Sequence, residues 1–354
     1  MVDTLPIDIT RAKQSRITEV DFSNIPFGRV FSDHMFVADY DGTAWTNLRI
    51  VPYQPLQLSP ANSALHYGQS VFEGMKAYKN TAGEVVVFRP LDNFHRLNRS
   101  AERMCMPPLP EEVFMNGLME LLKLDNQWVP DGENTALYIR PFIFATDNYI
   151  GIRASDTYTF MIFTCPVGAY YSEPVRVKIE THYSRATEGG TGAAKAAGNY
   201  AASLYPARRA QQQGYHQLVW TDSKTHQYIE ESGTMNVMFV IDGKLITTPL
   251  SDTILAGITR DSVLTLAREW GYPVEERRIA VSEVIAAAKE GRLQEAFGTG
   301  TAATIAQIIQ IGHEEQDYML PPIAERKFSN RVFKALNDIK SGQAEDKWNW
   351  VYKL

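Results

Sequence analysis

A lysine surrounded by small residues lies near the middle of the chain. Lys195 stands in the stretch Thr191-Gly-Ala-Ala-Lys-Ala-Ala-Gly-Asn-Tyr200. Small neighbours leave room for a flat cofactor, and desolvation lowers the pKa of an ammonium group so that it becomes nucleophilic. A phosphate-binding P-loop is disfavoured, because positions 194 and 196 are Ala where it needs Gly and then Ser or Thr. Two alternatives stay open from this stretch alone: a lysine that forms a Schiff base with pyridoxal phosphate (PLP), and a flexible loop.

Two adjacent acids, Glu230 and Glu231, precede the predicted turn Ser232-Gly-Thr234 and a strand predicted over 235–241. A carboxylate facing the pyridine nitrogen of PLP keeps this nitrogen protonated, which makes the ring an electron sink. An isolated Glu-Glu pair is also typical of a solvated turn, since ionised Glu is rarely buried without a partner. The pair therefore indicates a cofactor site only if other candidate residues point to the same cofactor.

Two glycine-containing turns could bind an anion. Gly257-Ile-Thr259 leads into a helix predicted over 259–271, and the first N–H groups of a helix attract anions. Gly298-Thr-Gly-Thr-Ala302 follows a short predicted strand, and its backbone donors could hold a phosphate or a carboxylate. An ordinary capped helix and a tight hairpin are the alternatives.

Two arginines stand out by their predicted elements. Arg96 lies on an amphipathic helix predicted over 91–104, where it could bind a phosphate through two hydrogen bonds or be a surface residue. Arg140 lies inside an apolar strand predicted over 136–145. A buried guanidinium needs an acidic partner, and that partner comes from the protein or from a substrate.

Composition excludes several classes of protein. The chain has 354 residues, enough for two domains, and a net charge of -6 without any Lys/Arg block, which disfavours nucleic acid and anionic membranes as partners. We find no apolar run long enough to span a bilayer and no signal or transit peptide. Cys105 and Cys165 are expected to be buried free thiols in a reducing cytoplasm, and the scattered His residues predict no metal site.

The predicted elements mix strands and helices without a regular strand-helix-strand repeat, which indicates an α+β fold. A segment rich in Pro, Gly and Ser at 166–174 is the candidate linker between two domains. The first half is predicted to contain strands at 36–40, 45–52, 84–88, 136–145 and 157–165, with helices in the first half of 63–78 and over 91–104 and 111–125. The second half is predicted to contain strands at 175–181, 217–221, 235–241, 244–248, 274–279, 294–297 and 304–311, with helices over 200–213, 259–271, 282–290 and 321–341.

In their order and joint spacing, these motifs resemble the branched-chain amino acid aminotransferases, PLP enzymes of fold type IV. The resemblance covers almost the whole chain. It implies a smaller N-terminal α/β domain (1–165), an interdomain linker (166–174) and a larger C-terminal domain (175–354) with a pseudo-barrel β core. The phrases that carry it are Leu65-His-Tyr-Gly-Gln-Ser-Val-Phe-Glu-Gly-Met-Lys76, Phe88-Arg-Pro90 through Arg96, Leu137-Tyr-Ile-Arg-Pro141, Lys195 with Gly198-Asn-Tyr200, Glu231-Ser-Gly-Thr-Met-Asn236 and Gly298-Thr-Gly-Thr-Ala302.

The resemblance also implies roles for individual residues. Lys195 would form the Schiff base and then carry the proton between substrate and cofactor. The cofactor contacts would be Glu231 (rather than Glu230) at the pyridine nitrogen, Tyr200 at the phenolic oxygen, Arg96, Ile258, Thr259 and Thr301 at the phosphate, and Thr234 nearby. The substrate contacts would be Tyr67, Thr301 and Ala302 at the carboxylate, Phe27, Phe72, Tyr138 and Tyr200 around an apolar pocket, and Arg140 at the distal carboxylate of glutamate.

The implied activity is PLP-dependent transamination of Leu, Ile and Val with 2-oxoglutarate, by a cytoplasmic homodimer that binds no metal. Ala303 and Ala306 replace the redox Cys-x-x-Cys pair of some members, so thiol regulation is not expected there. Three alternatives remain: a D-amino acid aminotransferase or an aminodeoxychorismate lyase of the same fold, a non-catalytic protein that binds a small anion, and a nucleotide hydrolase. The phrases around Tyr67 and Phe72 favour the branched-chain enzyme, and Ala194 and Ala196 disfavour the hydrolase.

Overall fold

The computed structural model describes residues 6–22, 24–25, 27–132, 134–168 and 173–354. The chain folds into two compact units, each built from separate stretches of sequence. Unit 1 comprises Met1–Tyr170, Ala194–Gly198 and Asp338–Leu354, and unit 2 comprises Tyr171–Ala193 and Asn199–Asn337. The boundary expected at 166–174 stays a prediction, because 169–172 lie outside the described residues.

The described residues form nineteen strands and seven α-helices. The strands are β1 (Asp8–Ile9), β2 (His34–Tyr40), β3 (Trp45–Pro52), β4 (Ser70–Phe72), β5 (Met75–Lys79), β6 (Val85–Phe88), β7 (Ala136–Ala145), β8 (Tyr158–Val167), β9 (Val175–Ile179), β10 (Gln217–Thr221), β11 (Tyr228–Ser232), β12 (Met235–Ile241), β13 (Lys244–Thr247), β14 (Val274–Glu276), β15 (Ile279–Ala280), β16 (Leu293–Gly300), β17 (Thr304–His313), β18 (Gln316–Met319) and β19 (Val351–Lys353). The helices are α1 (Ser63–Tyr67), α2 (Pro90–Arg103), α3 (Glu111–Leu124), α4 (Ala197–Gln212), α5 (Ile258–Glu269), α6 (Val281–Lys289) and α7 (Phe328–Ser341). No described helix has both the length and the apolar character needed to cross a membrane.

Unit 1 is built on a nine-stranded sheet in the order β1-β3-β2-β8-β7-β5-β6-β19, with β4 paired to β7. Helix α3 packs against this sheet through Phe114, whose ring stacks on Phe160 of β8 with centroids 5.9 Å apart. Gly117 brings the helix close to the sheet, because a Cβ there would lie 2.6 Å from the Phe36 ring. The core of unit 1 therefore lies between α3 and the sheet.

Helix α2 presents both apolar and functional side chains on its buried face. Pro90 occupies its first turn, where a missing N–H is harmless. Phe94, Leu97 and Ala101 follow at helical spacing and are buried. Arg96 is buried with them, at 5% exposure. The helix thus fixes this arginine inside unit 1.

Unit 2 contains a ten-stranded sheet in which six strands form a closed ring. Strand β12 pairs with β16 and also with β11, and the path between them runs through β17, β9 and β10. Buried apolar side chains from the ring strands, including Val177, Phe239 and Ile308, belong to one core cluster. The α+β fold with a barrel-like second core, expected from the resemblance, is confirmed.

Some sequence-based expectations are wrong. The final helix begins at Phe328 and not at 321, because Pro321 and Pro322 precede a separate 3-10 turn at Ile323–Glu325. Strands β1, β4, β11, β18 and β19 were not predicted. Cys165 is buried as expected, but Cys105 is exposed, because it follows the end of α2 in a left-handed turn with φ 54°.

Two segments assigned by sequence to the C-terminal domain pack with unit 1. The C-terminal tail does so because β19 pairs with β6 and Trp350 contacts the ring of Phe88 at 5.8 Å. The lysine segment does so because Ala196 forms an antiparallel bridge with Val71. Residues of unit 2 precede each of these segments in the sequence, Tyr171–Ala193 before the lysine segment and Asn199–Asn337 before the C-terminal tail.

Candidate active site

Lys195 is held by its own backbone in unit 1. Its N–H donates to Ser100 Oγ at 2.9 Å, and its carbonyl accepts from the N–H of Phe72 at 3.1 Å. The flanking Ala194 and Ala196 are buried in the core of unit 1, which explains why this stretch needs small side chains. The side chain of Lys195 is partly buried. An anchored backbone holds the amine in one place, which a flexible loop would not do.

The ring of Phe72 lies within contact distance of two cations. Lys195 Nζ is 4.9 Å from its centroid, and the guanidinium carbon of Arg140 is 4.6 Å away. Tyr138 makes two contacts in the same place: its hydroxyl accepts from Arg140 Nη2 at 3.1 Å, and its ring meets Phe27 edge-on at 5.3 Å. Five of the predicted site residues therefore form one cluster within unit 1, with aromatic walls and two cationic heads.

Arg140 has an unused donor. Its Nε is buried and has no hydrogen-bond partner among the described residues. Tyr138 is held beside it by Gly74, because a Cβ at Gly74 would lie 2.1 Å from the Tyr138 hydroxyl oxygen. A buried donor without a partner costs about 1–3 kcal/mol, so the arrangement favours a ligand that accepts a hydrogen bond.

Arg96 forms a buried ion pair that the sequence analysis missed. Its Nε and Nη2 donate to the two oxygens of Glu73, both at 2.7 Å, and Glu73 is fully buried. This two-bond geometry orients the guanidinium plane. Ser100, which anchors Lys195, lies one helical turn after Arg96 on α2. A single helix thus positions the lysine backbone and the arginine.

In unit 2, both acids of the Glu pair are buried, which rules out the solvated turn. Glu230 and Glu231 lie on β11 at 8% and 3% exposure. Glu231 Oε1 accepts from the N–H of Leu255 at 2.8 Å and from Asn236 Nδ2 at 3.2 Å. Its other oxygen, Oε2, lies 3.1 Å from Arg185 Nε. These donors and this cation favour an ionised Glu231.

Glu230 has a different environment. Thr253 Oγ1 donates to its Oε1 at 2.8 Å, while its Oε2 is buried without a hydrogen-bond partner in the described part of the chain. Burial raises the pKa of Glu230 above the usual value for Glu. Neighbouring residues of a strand point to opposite faces, so the two acids cannot share one role. Glu231 therefore has hydrogen-bond donors and a cation at its carboxylate, whereas Glu230 has a single hydroxyl donor among the described residues.

The N-terminus of α5 has the features of an anion site. Its N-cap is Gly257, which has no side chain to bind the first N–H groups. A Cβ at this position would lie 1.9 Å from Asn236 Oδ1, so the close packing requires glycine. Ile258 and Thr259 supply the next two amides and are buried. Through Asn236, this helix start is linked to Glu231.

The second glycine segment is a hairpin. Gly298 and Gly300 belong to β16, Gly300 pairs with Thr304 of β17, and Thr301 and Ala302 lie in the turn. Met235 packs directly against the backbone of Gly298, since a Cβ at position 298 would lie 2.7 Å from Met235 Cε. A hairpin turn and a donor site are compatible, because backbone N–H groups in a turn can form an anion-binding concavity.

Comparisons with known proteins identify the family. The amino-transferase class IV family model matches residues 70–311. Branched-chain-amino-acid transaminase 1 of Bacillus subtilis (strain 168) is 46% identical over 339 residues, covering 94% of this chain and 95% of that protein. The branched-chain-amino-acid aminotransferase of Mycolicibacterium smegmatis is 40% identical, covering 98% and 96%. This chain belongs to the branched-chain aminotransferase family.

Solved structures of branched-chain aminotransferases have the same fold. The enzyme from Thermoproteus uzoniensis, determined with norvaline, superposes with a TM-score of 0.75 at 28% identity, covering 90% of this chain and 99% of that one. The Escherichia coli enzyme gives a TM-score of 0.72 at 27% identity, covering 90% and 98%. The class IV fold and the transferase class are thereby established.

Three further predicted residues of this aminotransferase are described here by their own elements and exposure. Tyr67 ends α1 at 39% exposure, with its ring beside that of His66. Thr234 is exposed in the turn after Gly233. Tyr200 is partly buried in the first turns of α4. For these three residues the assigned roles stay predictions.

Glu73 and Arg185 were missed for different reasons. Glu73 stood in the phrase Val71-Phe-Glu-Gly74, and an acid between apolar residues in a strand-forming stretch is itself a signal of a buried partner. Arg185 gave no such signal, since Ser184-Arg-Ala-Thr-Glu188 reads as an ordinary polar loop. Only the pairing with Glu231 reveals it.

Proposed function

We propose that the protein catalyses PLP-dependent transamination of L-leucine, L-isoleucine and L-valine with 2-oxoglutarate, giving branched 2-oxo acids and L-glutamate. The cluster of Phe27, Phe72, Tyr138 and Arg140 next to Lys195 carries this proposal. Aromatic walls suit a branched aliphatic side chain, and a single guanidinium suits the second carboxylate of glutamate. The names of the relatives point to the same substrates.

The described residues fit PLP. Gly257 leaves the start of α5 accessible to a phosphate that a side chain would displace, and Glu231 offers a buried, supported carboxylate. Arg96, Ile258, Thr259 and Thr301 would hold the phosphate, Tyr200 the phenolic oxygen, and Thr234 would lie nearby. When bound, PLP supplies an electron sink for the bonds at the substrate Cα.

The residues of the chain supply the remaining chemistry. The Lys195 amine would hold the cofactor, and it would move a proton at the substrate Cα as general base and acid. Glu231 would hold a proton at the pyridine nitrogen, because its carboxylate is fixed by hydrogen bonds from Leu255 and Asn236. Tyr67, with the amides of Thr301 and Ala302, would orient the α-carboxylate.

Absorption spectroscopy tests the function directly. The purified protein, supplied with PLP, should show a visible band of bound cofactor that L-leucine bleaches, as the amino group passes to the cofactor. Lys195→Ala should abolish the bleaching because no amine remains to move the proton. Lys79→Ala is the matched control, since Lys79 is a partly exposed lysine of unit 1 that pairs with Asp131.

The alternatives give different spectra. If D-alanine bleaches the band and L-leucine does not, the fold assignment would stand and the proposed branched-chain substrates would be wrong. A protein that stays colourless with PLP would reject the enzyme and favour the non-catalytic anion-binding protein.

We also propose a cytoplasmic homodimer. Exposed apolar side chains of unit 1 support the dimer, and they include Leu56, Leu58, Leu65, Ile150 and Ile152, the last at 93% exposure. Exposed apolar side chains that lie together on a surface mark protein–protein contacts. The free thiols of Cys105 and Cys165 suit a reducing compartment.

A further inference from the structure

Arg185 is fixed in unit 2 by three neighbours. It lies in the segment between β9 and α4, and its side chain is 9% exposed. Its Nη2 donates to the carbonyl oxygens of Gly192, at 3.1 Å, and of Thr253. Its Nε lies 3.1 Å from Glu231 Oε2, an ionic contact in which the N–H is not aligned for a hydrogen bond among the described residues. The guanidinium therefore joins two stretches of backbone to one buried carboxylate.

The positive charge of Arg185 compensates for burying the negative charge of Glu231. Taking a carboxylate out of water costs several kcal/mol unless a cation and hydrogen bonds compensate. The amide donors Leu255 and Asn236 approach Oε1 and are both neutral, whereas Arg185 brings a full charge to Oε2. Arginine suits this role because it stays protonated at every accessible pH.

Glu230 shows what happens without such a partner at hydrogen-bonding distance. It lies on the same strand and is also buried, but its nearest donor is the hydroxyl of Thr253. Burial raises its pKa, and the more distant charge of Arg185 offsets this increase in part. The two adjacent glutamates thus differ in their surroundings: Glu231 has two neutral donors and a nearby guanidinium, whereas Glu230 has one hydroxyl donor among the described residues.

The same side chain holds the segment that leads to the lysine. Gly192, whose carbonyl Arg185 binds, is three residues before Lys195 in the sequence. Gly192 packs tightly, since a Cβ there would lie 2.6 Å from Ala186 Cβ and 2.8 Å from Thr253 Cα. The neighbouring Ala193 N–H donates to Asp252 O at 2.8 Å.

We propose that Arg185 is a positioning residue that keeps Glu231 ionised and oriented, and that fixes the Gly192 carbonyl. This rests on the proposed function, in which Glu231 holds a proton at the pyridine nitrogen. The effect of Arg185 on the reacting atoms passes through Glu231 and through the lysine segment.

The first experiment needs no cofactor. In protein labelled with 13C at the Glu side-chain carboxyls, the Glu231 signal, assigned from Glu231→Gln, is followed in the apoprotein at neutral pH. Arg185→Gln should move it toward the chemical shift of a protonated carboxyl, and Arg185→Lys should leave it ionised. An unchanged Glu231 signal in Arg185→Gln would overturn the electrostatic part of the proposal.

The second experiment uses the holoenzyme with PLP labelled with 15N in the ring. Arg185→Gln should shift the ring nitrogen toward its unprotonated signal and lower kcat for L-leucine about 100-fold, the order seen when one electrostatic support of a reaction is removed. KM should change less than about threefold, because the substrate pocket is untouched. Arg185→Lys should keep the protonated signal and recover most of kcat.

Two controls separate positioning from stability. Arg326 is another buried arginine of unit 2 that donates to carbonyl oxygens, those of Ala296, Ile308 and Pro321. Arg326→Gln should lower the melting temperature and leave the ring nitrogen signal unchanged. Glu230→Gln should also leave that signal unchanged.

The outcomes stay distinguishable. A protonated ring nitrogen and wild-type kcat in Arg185→Gln would reject the proposal. Should Arg185→Gln fail to fold, Arg185→Lys decides, because loss of the ionised Glu231 signal in that variant would also reject it. If the wild type binds no PLP, the proposed function fails, while the apoprotein measurement still decides whether Arg185 sets the ionisation of Glu231.

Discussion

At the scale of single residues, one guanidinium is placed to recognise a second carboxylate. Arg140 lies over the rings of Phe72 and Tyr138, at 4.6 and 5.3 Å, and its buried Nε has no hydrogen-bond partner among the described residues. The aromatic faces stabilise the cation without neutralising it. This combination suits an acidic side chain and tolerates an aliphatic one, which is the role proposed for Arg140.

We therefore expect Arg140→Met to impair the half-reaction with 2-oxoglutarate much more than the half-reaction with L-leucine. The KM for 2-oxoglutarate should rise about 10- to 100-fold, since a hydrogen bond to a charged group contributes about 1.5–3 kcal/mol. The L-leucine half-reaction should change less than about threefold. Stopped-flow absorbance of each half-reaction measures both, with Arg49→Met, which breaks a surface pair with Asp39, as the control. Equal losses in both half-reactions would contradict the assigned role.

Two buried lysines of unit 1 make stability depend on pH. Burial lowers the pKa of Lys340 to about 7, with a further contribution from Lys76, and burial lowers the pKa of Lys76 to about 8. Lys340 Nζ lies 5.3 Å from the Tyr78 ring and 5.0 Å from the Phe88 ring. The unfolded chain binds protons more tightly than the folded chain between these values and the ordinary lysine pKa of 10.5, so stability should rise with pH across this interval.

Lys340→Met should increase the free energy of unfolding at pH 6, on the order of 2 kcal/mol, because it removes the cost of burying a charge. The increase should shrink as the pH approaches 10, where the wild-type lysine is neutral when folded. Urea unfolding at both pH values measures it, and Lys353→Met, an exposed residue paired with Glu84, serves as control. A gain that is independent of pH would point to packing instead.

At the scale of elements, α2 organises unit 1 around the lysine. Ser100 and Arg96 lie one turn apart on it, and they hold the Lys195 backbone and Glu73 respectively. The carboxylate of Glu73 occupies the Nε and Nη2 donors, which fixes the plane of the guanidinium. The orientation of Arg96 is thus set by an acid that need not touch any ligand.

Glu73→Gln should weaken PLP binding by the apoenzyme about 10-fold, because a neutral amide holds Arg96 less firmly. Binding of pyridoxal, which lacks the phosphate, should stay the same. Spectrophotometric titration with each compound gives the two dissociation constants. Glu84→Gln is the surface control. Equal weakening for both compounds would show that Glu73 acts through general stability and not through the phosphate.

Periodicity predicted the elements that depend on local pattern. Helix α2 and strand β7 follow from the spacing of Phe94, Leu97 and Ala101 and from the apolar run at 136–145. Lys195, Glu231, the two arginines and the two glycine turns stood out by residue type and spacing, and the family resemblance added the aromatic residues. The structure brings five of these candidates together in unit 1. Local pattern does not show which acid pairs with which arginine, so Glu73 and Arg185 emerged only from the three-dimensional arrangement.

The elements that escaped prediction depend on distant partners. Strand β11 carries two acids, and its burial is compensated by Arg185 and Thr253, which lie far away in the sequence. Strand β19 is three residues long and exists because β6 offers a free edge. Short strands gain their stability from pairing, so their own sequence gives little signal.

At the scale of the whole molecule, the exposed apolar residues of unit 1 make a prediction about assembly. We expect the wild-type protein to sediment as a dimer at micromolar concentration. The double variant Ile150→Asp, Ile152→Asp should weaken the dimer at least about 100-fold, because it places charges in an apolar interface. Analytical ultracentrifugation measures both. Met319→Asp, which changes an exposed apolar residue of unit 2, is the control, and a monomeric wild type would contradict the dimer.

The return of β19 to β6 has a consequence for the order of synthesis. The ribosome makes β6 before unit 2 and β19 after it, so all of unit 2 is produced between these two strands. The edge of the first sheet therefore stays unpaired while the rest of the chain emerges, and open edges invite wrong pairing. We infer that unit 1 matures only after β19 has been synthesised, so chaperone demand should be highest for nascent chains that already contain unit 2 but lack β19.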